Sequence, residues 1–139
     1  MTVAVDRPFQ RPLHPVHAVL LAGMTVLWLA ALLADIAYAA TYEMQWKNFA
    51  AWLLVGGLVL GGPTLLWALV GLFRGGRGRF VYFVLVLAAW IAALVNTLVH
   101  AEDAWSSMPA ALILSVIGGA LATLATVLGF STLRLRVLP

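Results

Sequence analysis

Four long apolar stretches, each about as long as the roughly 20 residues that cross a bilayer, occupy most of this sequence. They run from about Val16 to Ala40, from about Phe49 to Phe73, from about Phe80 to Ala101 and from about Pro109 to Leu133. The connections are short, so sequential helices must lie side by side and antiparallel. The sequence therefore predicts an all-α, integral membrane four-helix bundle with up-down-up-down topology, forming a single transmembrane domain over residues 1–139.

The composition supports lipid as part of the solvent. Of the 139 residues, 64% are hydrophobic and 9% are charged, and the mean hydropathy is +1.04. A water-soluble domain has about 25% charged residues, and one core of this length cannot hide so much apolar surface. The basic residues are split among connections and termini without a binding motif, so we expect no nucleic-acid partner. The absence of cysteine excludes disulfides, thiolate metal sites and cysteine nucleophiles.

The distribution of arginine predicts the orientation. Arg74, Arg77 and Arg79 occupy the short connection between the second and third stretches, whereas the other two connections contain few basic residues. Short cytoplasmic loops are enriched in Lys and Arg, so we expect both termini to be cytoplasmic, in a bacterial inner membrane. The three arginines would contact anionic lipid head groups. Seven of the eight basic residues agree with this topology, the other four being Arg7, Arg11, Arg134 and Arg136.

Polar residues near the predicted outer ends of the helices form one candidate site. Asp35 lies near the end of the first stretch, and Asn96 and His100 lie one turn apart in the third. Ser115 reaches the same depth from the fourth stretch. Intramembrane ionisable residues suggest function, here a quinone head-group site, a proton relay or a metal ligand set. The alternative is a polar clamp that fixes the bundle, and one His with one carboxylate is too few ligands for a metal site.

A second candidate lies at the predicted inner end, where His14 and His17 flank Pro15 at the start of the first stretch. Proline suits the first helical turn because its missing N–H matters least there. The functional interpretation is ligation of haem or a metal, or contact with a quinone. The favoured interpretation is a pair of interfacial histidines that supports helix packing and contacts lipid phosphate.

Haem b and quinone are the candidate cofactors, and geometry restricts the first of them. His14 and His17 lie on one segment and cannot hold the same iron from opposite sides. His17 and His100 would be separated by about 25–30 Å along the bundle. The remaining axial pairs combine His100 with Met108 or Met44, or His17 with a histidine of another chain. No motif for a nucleophile with its base, for phosphate or for a catalytic metal is present, so we expect no catalytic residues.

Small residues predict where helices approach closely. Gly57 and Gly61 form a GxxxG pair in the second stretch, and a stripe of small residues follows the fourth. Such residues let helix backbones approach within lipid, either inside the bundle, which is favoured, or against another chain. The stripe comprises Ser115, Gly118, Gly119, Ala122 and Thr126.

Several short motifs resemble one family of membrane proteins. They are His14-Pro15-Val16-His17, Leu33-Ala34-Asp35-Ile36, and the stretch from Asn96 to Trp105 leading to Met108-Pro109 and Leu114-Ser115. With these motifs the chain resembles the DUF2231 family of small bacterial four-helix membrane proteins. The resemblance implies a redox context, since members are associated with redox systems, including fusions to Rieske-type iron–sulfur domains. Many members have further histidines in the second half of the bundle, where this chain has His100.

These observations lead to an expected function. We expect a non-catalytic integral membrane subunit or anchor of a bacterial redox or respiratory assembly, with other membrane subunits docking on apolar and Gly/Ala-rich helix faces. Phospholipids would cover the rest. Two alternatives remain open, a quinone- or haem-binding electron-transfer protein and a small-solute transporter acting as a homo-oligomer. Within the outer site, His100 would accept or donate a proton, Asp35 would be its partner, and Asn96 would orient them.

Overall fold

The computed structural model describes residues 13–102 and 106–134, with side chains described as far as residue 131. Arg7, Arg11 and Arg136, used in the topology prediction, lie outside the described residues. The described chain forms four helices and no strand, which confirms the predicted all-α bundle, and every helix is long and apolar enough to cross a membrane. The helices are α1 (Pro15–Thr41), α2 (Met44–Leu72), α3 (Arg77–His100) and α4 (Ala110–Arg134).

Two helices begin earlier than the apolar stretches suggest. α2 begins at Met44 rather than near Phe49, and α3 begins at Arg77 rather than near Phe80. The turn between them is tight because Gly75 and Gly76 have φ values of 74° and 110°. Residues with a Cβ rarely adopt this left-handed region, so glycine lets the chain reverse within a few residues.

The four helices form a ring. α1 packs against α2 and α4, and α3 packs against the same two neighbours, so α1 and α3 face each other diagonally across the bundle. His14 is the N-cap residue of α1. Its side chain accepts a hydrogen bond from the Val16 N–H at 3.3 Å, and Pro15 follows in the first turn. The parallel course of α1 and α3 brings residues of equal depth on these helices to the bundle centre.

The middle of the bundle is apolar and tightly packed around Trp28. This side chain is buried, and its indole Nε1 donates to the Leu54 carbonyl at 3.3 Å. A Cβ on Gly57 would lie 2.2 Å from Trp28 Nε1, and a Cβ on Gly61 would lie 2.9 Å from Trp90 Cδ1. The GxxxG pair therefore lies against aromatic side chains of its own bundle, where a larger residue would collide.

The outward surface of the helices is also apolar. Large exposed hydrophobic side chains occur on every helix, for example Leu33, Trp52, Leu98 and Val127. In water such a surface would associate, whereas in a bilayer it is solvated by acyl chains. The outside of the bundle is thus apolar, whereas polar residues are buried at its two ends. A polar site must therefore lie in the interior.

Candidate functional site

The structure brings Asp35, Asn96, His100 and Ser115 together in one buried cluster, which we call the Asp35 layer. α1 supplies Asp35, α3 supplies Asn96 and His100, and α4 supplies Ser115. Asp35 is 0% exposed, and the other three side chains are buried as well. The short connections and the parallel course of α1 and α3 produce this arrangement because they fix the depth of each residue along the bundle.

The hydrogen bonds of the Asp35 layer form a closed circuit. Asn96 Nδ2 donates to Ser115 Oγ at 2.7 Å, and the Ser115 hydroxyl donates its own proton to Asp35 Oδ2. The other carboxyl oxygen, Oδ1, lies 2.8 Å from His100 Nε2. His100 Nδ1 lies 2.9 Å from the Asn96 backbone carbonyl, which only accepts, so Nδ1 carries a proton. The circuit ends on the residue at which it starts.

One atom of this layer has no partner. Asn96 Oδ1 is buried and forms no hydrogen bond in the described structure. Exchanging the positions of the amide oxygen and nitrogen would not remove the problem. The Ser115 hydroxyl would then have to donate to Asn96, and Asp35 Oδ2 would lose its donor. Asn96 Oδ1 therefore lacks a partner because the Ser115 hydroxyl donates to the Asp35 carboxylate.

The remaining helix, α2, contributes a residue at this end that the sequence did not place there. Lys47, assigned to a connection from the sequence, lies in the first turn of α2 and is only 5% exposed. Its Nζ donates to the backbone carbonyl of Glu102 at 2.6 Å, two residues beyond His100. A buried ammonium is costly unless a polar partner compensates it, and the carbonyl of Glu102 provides that partner. Polar residues of all four helices thus lie at this end.

The other end of the bundle contains a second cluster, which we call the His17 layer. His17 is 1% exposed, and its Nε2 lies 2.6 Å from the Tyr82 hydroxyl of α3. The rings of His14 and His17 lie against Trp67 of α2, with centroids 5.1 and 5.5 Å from the indole. His17 Nδ1 is buried without a partner. The sequence identified the two histidines of this layer but not Trp67 or Tyr82.

Both layers are built on the same diagonal. Each contains one side-chain hydrogen bond between α1 and α3, and each bond joins residues 65 positions apart. His17 and Asp35 are separated by about five helical turns on α1, as are Tyr82 and His100 on α3. Each helix therefore presents its two polar residues on the same face, toward the bundle centre.

The hydrogen bonds of the histidine ring nitrogens limit which of them could bind a haem iron. Both nitrogens of His100 and Nε2 of His17 are engaged in hydrogen bonds. The two histidines also lie at opposite ends of the bundle, about 27 Å apart along α1 by helical rise. His100 would have to release one of these bonds to ligate iron, whereas Nδ1 of His17 has no hydrogen-bond partner. Within the described part of the chain, no three His, Asp or Glu residues lie close enough to hold a metal ion.

The arginines of the connection between α2 and α3 lie at the His17 end. Arg74 and Arg77 are exposed, and Arg79 is partly buried while its guanidinium donates to the Gly75 carbonyl at 3.4 Å. This places three cationic side chains at the boundary of the apolar surface, where lipid head groups would lie.

The missed residues had a signal in the sequence. The buried positions of α2 are Lys47, Ala50, Leu54, Gly57, Gly61, Thr64 and Ala68, spaced by three or four residues. Lys47 is therefore in phase with the buried stripe, once the helix is extended back to Met44. Tyr82 precedes the buried Val86 by one turn on α3 in the same way.

The fold and its two polar layers define a multi-pass membrane protein, and comparison of the sequence with known families is consistent with that class. The model of the family described as "predicted membrane protein (DUF2231)" matches residues 13–134. The chain therefore belongs to the DUF2231 family, as its motifs indicated. Neither a curated protein nor a solved structure matches it.

Proposed function

We propose that this protein is a non-catalytic integral membrane subunit or anchor of a bacterial redox or respiratory assembly, located in the inner membrane with both termini in the cytoplasm. The observation that carries the proposal is the contrast between its interior and its surface. The side chains of the Asp35 layer form hydrogen bonds with one another across the bundle, whereas exposed apolar side chains occur along every helix. The apolar surface is thus what the membrane-embedded part offers to a partner.

The close-packing glycines give this proposal a specific form. The space beside Gly57 and Gly61 is filled by Trp28 and Trp90 of the same chain. A partner would therefore dock on the large apolar side chains of the outer surface instead. Such docking relies on van der Waals packing because lipid is as apolar as the partner. The redox context rests on the family resemblance, and the orientation rests on the arginines at the His17 end.

Site-specific photocrosslinking tests the proposal directly. A photoreactive residue is placed at one strongly exposed position on each helix, namely Leu33, Trp52, Leu98 or Val127. We expect one helix face to crosslink to a second protein in the native bacterial membrane while the other faces react only with lipid. The crosslinked protein should co-purify in fixed stoichiometry and contain a haem, flavin or iron–sulfur centre.

Three outcomes would contradict the proposal. Crosslinks to lipid alone at all four positions would exclude a stable partner in the membrane. Crosslinks only to copies of the same chain would favour the homo-oligomeric transporter instead. A Soret band in the spectrum of the purified, partner-free protein would favour the haem-binding alternative. A matched control variant carries the photoreactive residue at Ala89 of α3, which is buried and should crosslink only within the chain.

A further inference from the structure

The protons of the Asp35 layer can be counted from its hydrogen bonds. His100 Nδ1 must carry a proton because it faces the Asn96 carbonyl, and the Ser115 hydroxyl proton is committed to Asp35 Oδ2. The contact of 2.8 Å between Asp35 Oδ1 and His100 Nε2 then requires one more proton between them. Whether this proton resides on the carboxyl or on the imidazole, the pair is neutral as a whole.

Loss of that single proton leaves a carboxylate facing a neutral imidazole, with a net charge of −1 on the pair. A buried negative charge is costly unless a cation lies close to it. Lys47 of α2 supplies a cation at this end, since its side chain is buried and its Nζ donates to the carbonyl of Glu102, two residues beyond His100. Of the titratable groups from other helices at this end, Asp35 of α1 contacts His100 Nε2 and Lys47 of α2 lies nearby, while α4 contributes the uncharged Ser115.

The Asp35 layer lies next to an exposed end of the bundle. His100 is the last residue of α3, and the side chain of Glu102, two residues further on, is exposed. Lys47 Nζ donates to the carbonyl of Glu102 at this same end. The circuit is closed and Asp35 is fully buried, so a ligand of the size of a quinone would have to open the bundle to reach it. A proton needs no such opening of the bundle.

We propose that the Asp35–His100 pair is a proton-binding site that exchanges one proton with water at the Lys47 end of the bundle. Uptake places the proton between Asp35 Oδ1 and His100 Nε2. Release returns it to water and leaves a carboxylate at the end of the bundle that also contains the Lys47 ammonium, so charge and protons balance in both directions. The buried, unpaired Asn96 Oδ1 is an acceptor available to a water molecule or hydronium during the exchange. This site is additional to the proposed role as a subunit and does not depend on it.

The test uses the full-length protein with ¹⁵N-labelled histidine in lipid nanodiscs, observed by NMR as the pH is changed. His100 is assigned by comparison with the His100→Gln variant. We expect His100 Nδ1 to stay protonated throughout, while Nε2 passes through a single reversible step. Lys47→Met should move this step to higher pH because the released form loses its cation, whereas Asp35→Asn should move it to lower pH because the imidazolium loses its carboxylate.

Two controls separate this result from a general effect of charge or of misfolding. Lys47→Arg retains the positive charge and should leave the step near its wild-type position. Arg79→Gln removes a positive charge at the opposite end of the bundle and should change nothing. If Asp35→Asn does not fold, the comparison of Lys47→Met with Lys47→Arg still decides the matter. Absence of a step at His100 Nε2, or a step that Lys47→Met does not move, would overturn the proposal.

The side of entry is tested in sealed vesicles with a uniform orientation, selected through a terminal tag. Infrared difference spectra of isotope-labelled histidine report the His100 state after the pH is changed outside only. We expect a response when the Lys47 end faces outward and a much slower response, limited by leakage across the membrane, when it faces inward. Equal responses in the two orientations would overturn entry from the Lys47 end.

Discussion

The two polar layers of this bundle use the same diagonal but different chemistry. At one end a histidine of α1 meets a tyrosine of α3, and at the other a carboxyl group of α1 meets a histidine of α3. The His17 layer is built from this hydrogen bond and from tilted contacts between aromatic rings, and it involves three helices. The Asp35 layer contains ionisable groups of α1 and α3 and a serine of α4, and Lys47 of α2 lies at the same end. The two layers therefore share a position across the bundle and differ in the groups that form them.

The two layers differ in which of their buried polar atoms form hydrogen bonds. In the Asp35 layer both carboxyl oxygens and both imidazole nitrogens are bonded, and one amide oxygen is left over. In the His17 layer one imidazole nitrogen is left over, and none of its residues carries a carboxyl group. We therefore expect the bundle to depend far more on the Asp35 layer than on the His17 layer.

The largest expected effect comes from deleting the carboxyl group. Asp35→Ala leaves His100 and Ser115 without their common partner. Removing one partner of a buried ionic pair costs about 3–5 kcal/mol. Reversible unfolding of the protein in mixed micelles measures this loss, and a loss below about 1 kcal/mol would abolish the contrast between the two layers.

A packing variant between the layers provides a reference for that comparison. Gly57→Ala places a methyl group against the buried indole of Trp28, and we expect a loss of about 1–3 kcal/mol in the unfolding free energy. Gly62→Ala is the matched control on the same helix, since no atom lies within 4 Å of its added Cβ. It should be neutral or stabilise by up to about 1 kcal/mol. Equal losses in the two variants would show that the close approach of α1 and α2 does not hold.

The smallest expected effect lies in the His17 layer. Tyr82→Phe removes the hydroxyl that lies 2.6 Å from His17 Nε2 and keeps the ring in place. Neutral hydrogen bonds between membrane helices contribute about 0.6 kcal/mol on average, so we expect a loss of this order. The same unfolding measurement checks it. A loss as large as that of Asp35→Ala would show that the two layers are energetically equivalent.

The sequence predicted a common depth for the residues of the Asp35 layer because the short connections determine that depth. Short connections make α1 and α3 parallel, so Asp35, Asn96 and His100 had to lie at one level. The position of Lys47 depended on the start of α2, and the sequence does not mark that start. Glu43 occupies the cap position without a side-chain cap bond, and the apolar stretch begins several residues later. Lys47 was therefore assigned to a connection.

Tyr82 and Trp67 were missed for a different reason. They belong to apolar stretches in which aromatic residues are common, and hydropathy does not show which of them turns inward. Two features mark Tyr82 as a partner. It lies one turn before the buried Val86, and its distance of about five turns from His100 equals that between His17 and Asp35. The orientation in the membrane stays a prediction from the arginines.

Double-mutant cycles on the two diagonal pairs test the central contrast most directly. Asp35→Ala and His100→Ala, singly and together, give the coupling energy of one pair, and His17→Ala and Tyr82→Phe give that of the other. We predict a coupling of about 3 kcal/mol, the upper end of the range for residues in contact, at the Asp35–His100 pair. We predict about 0.6 kcal/mol at the His17–Tyr82 pair. Equal couplings, or a larger one at the His17 end, would contradict the account.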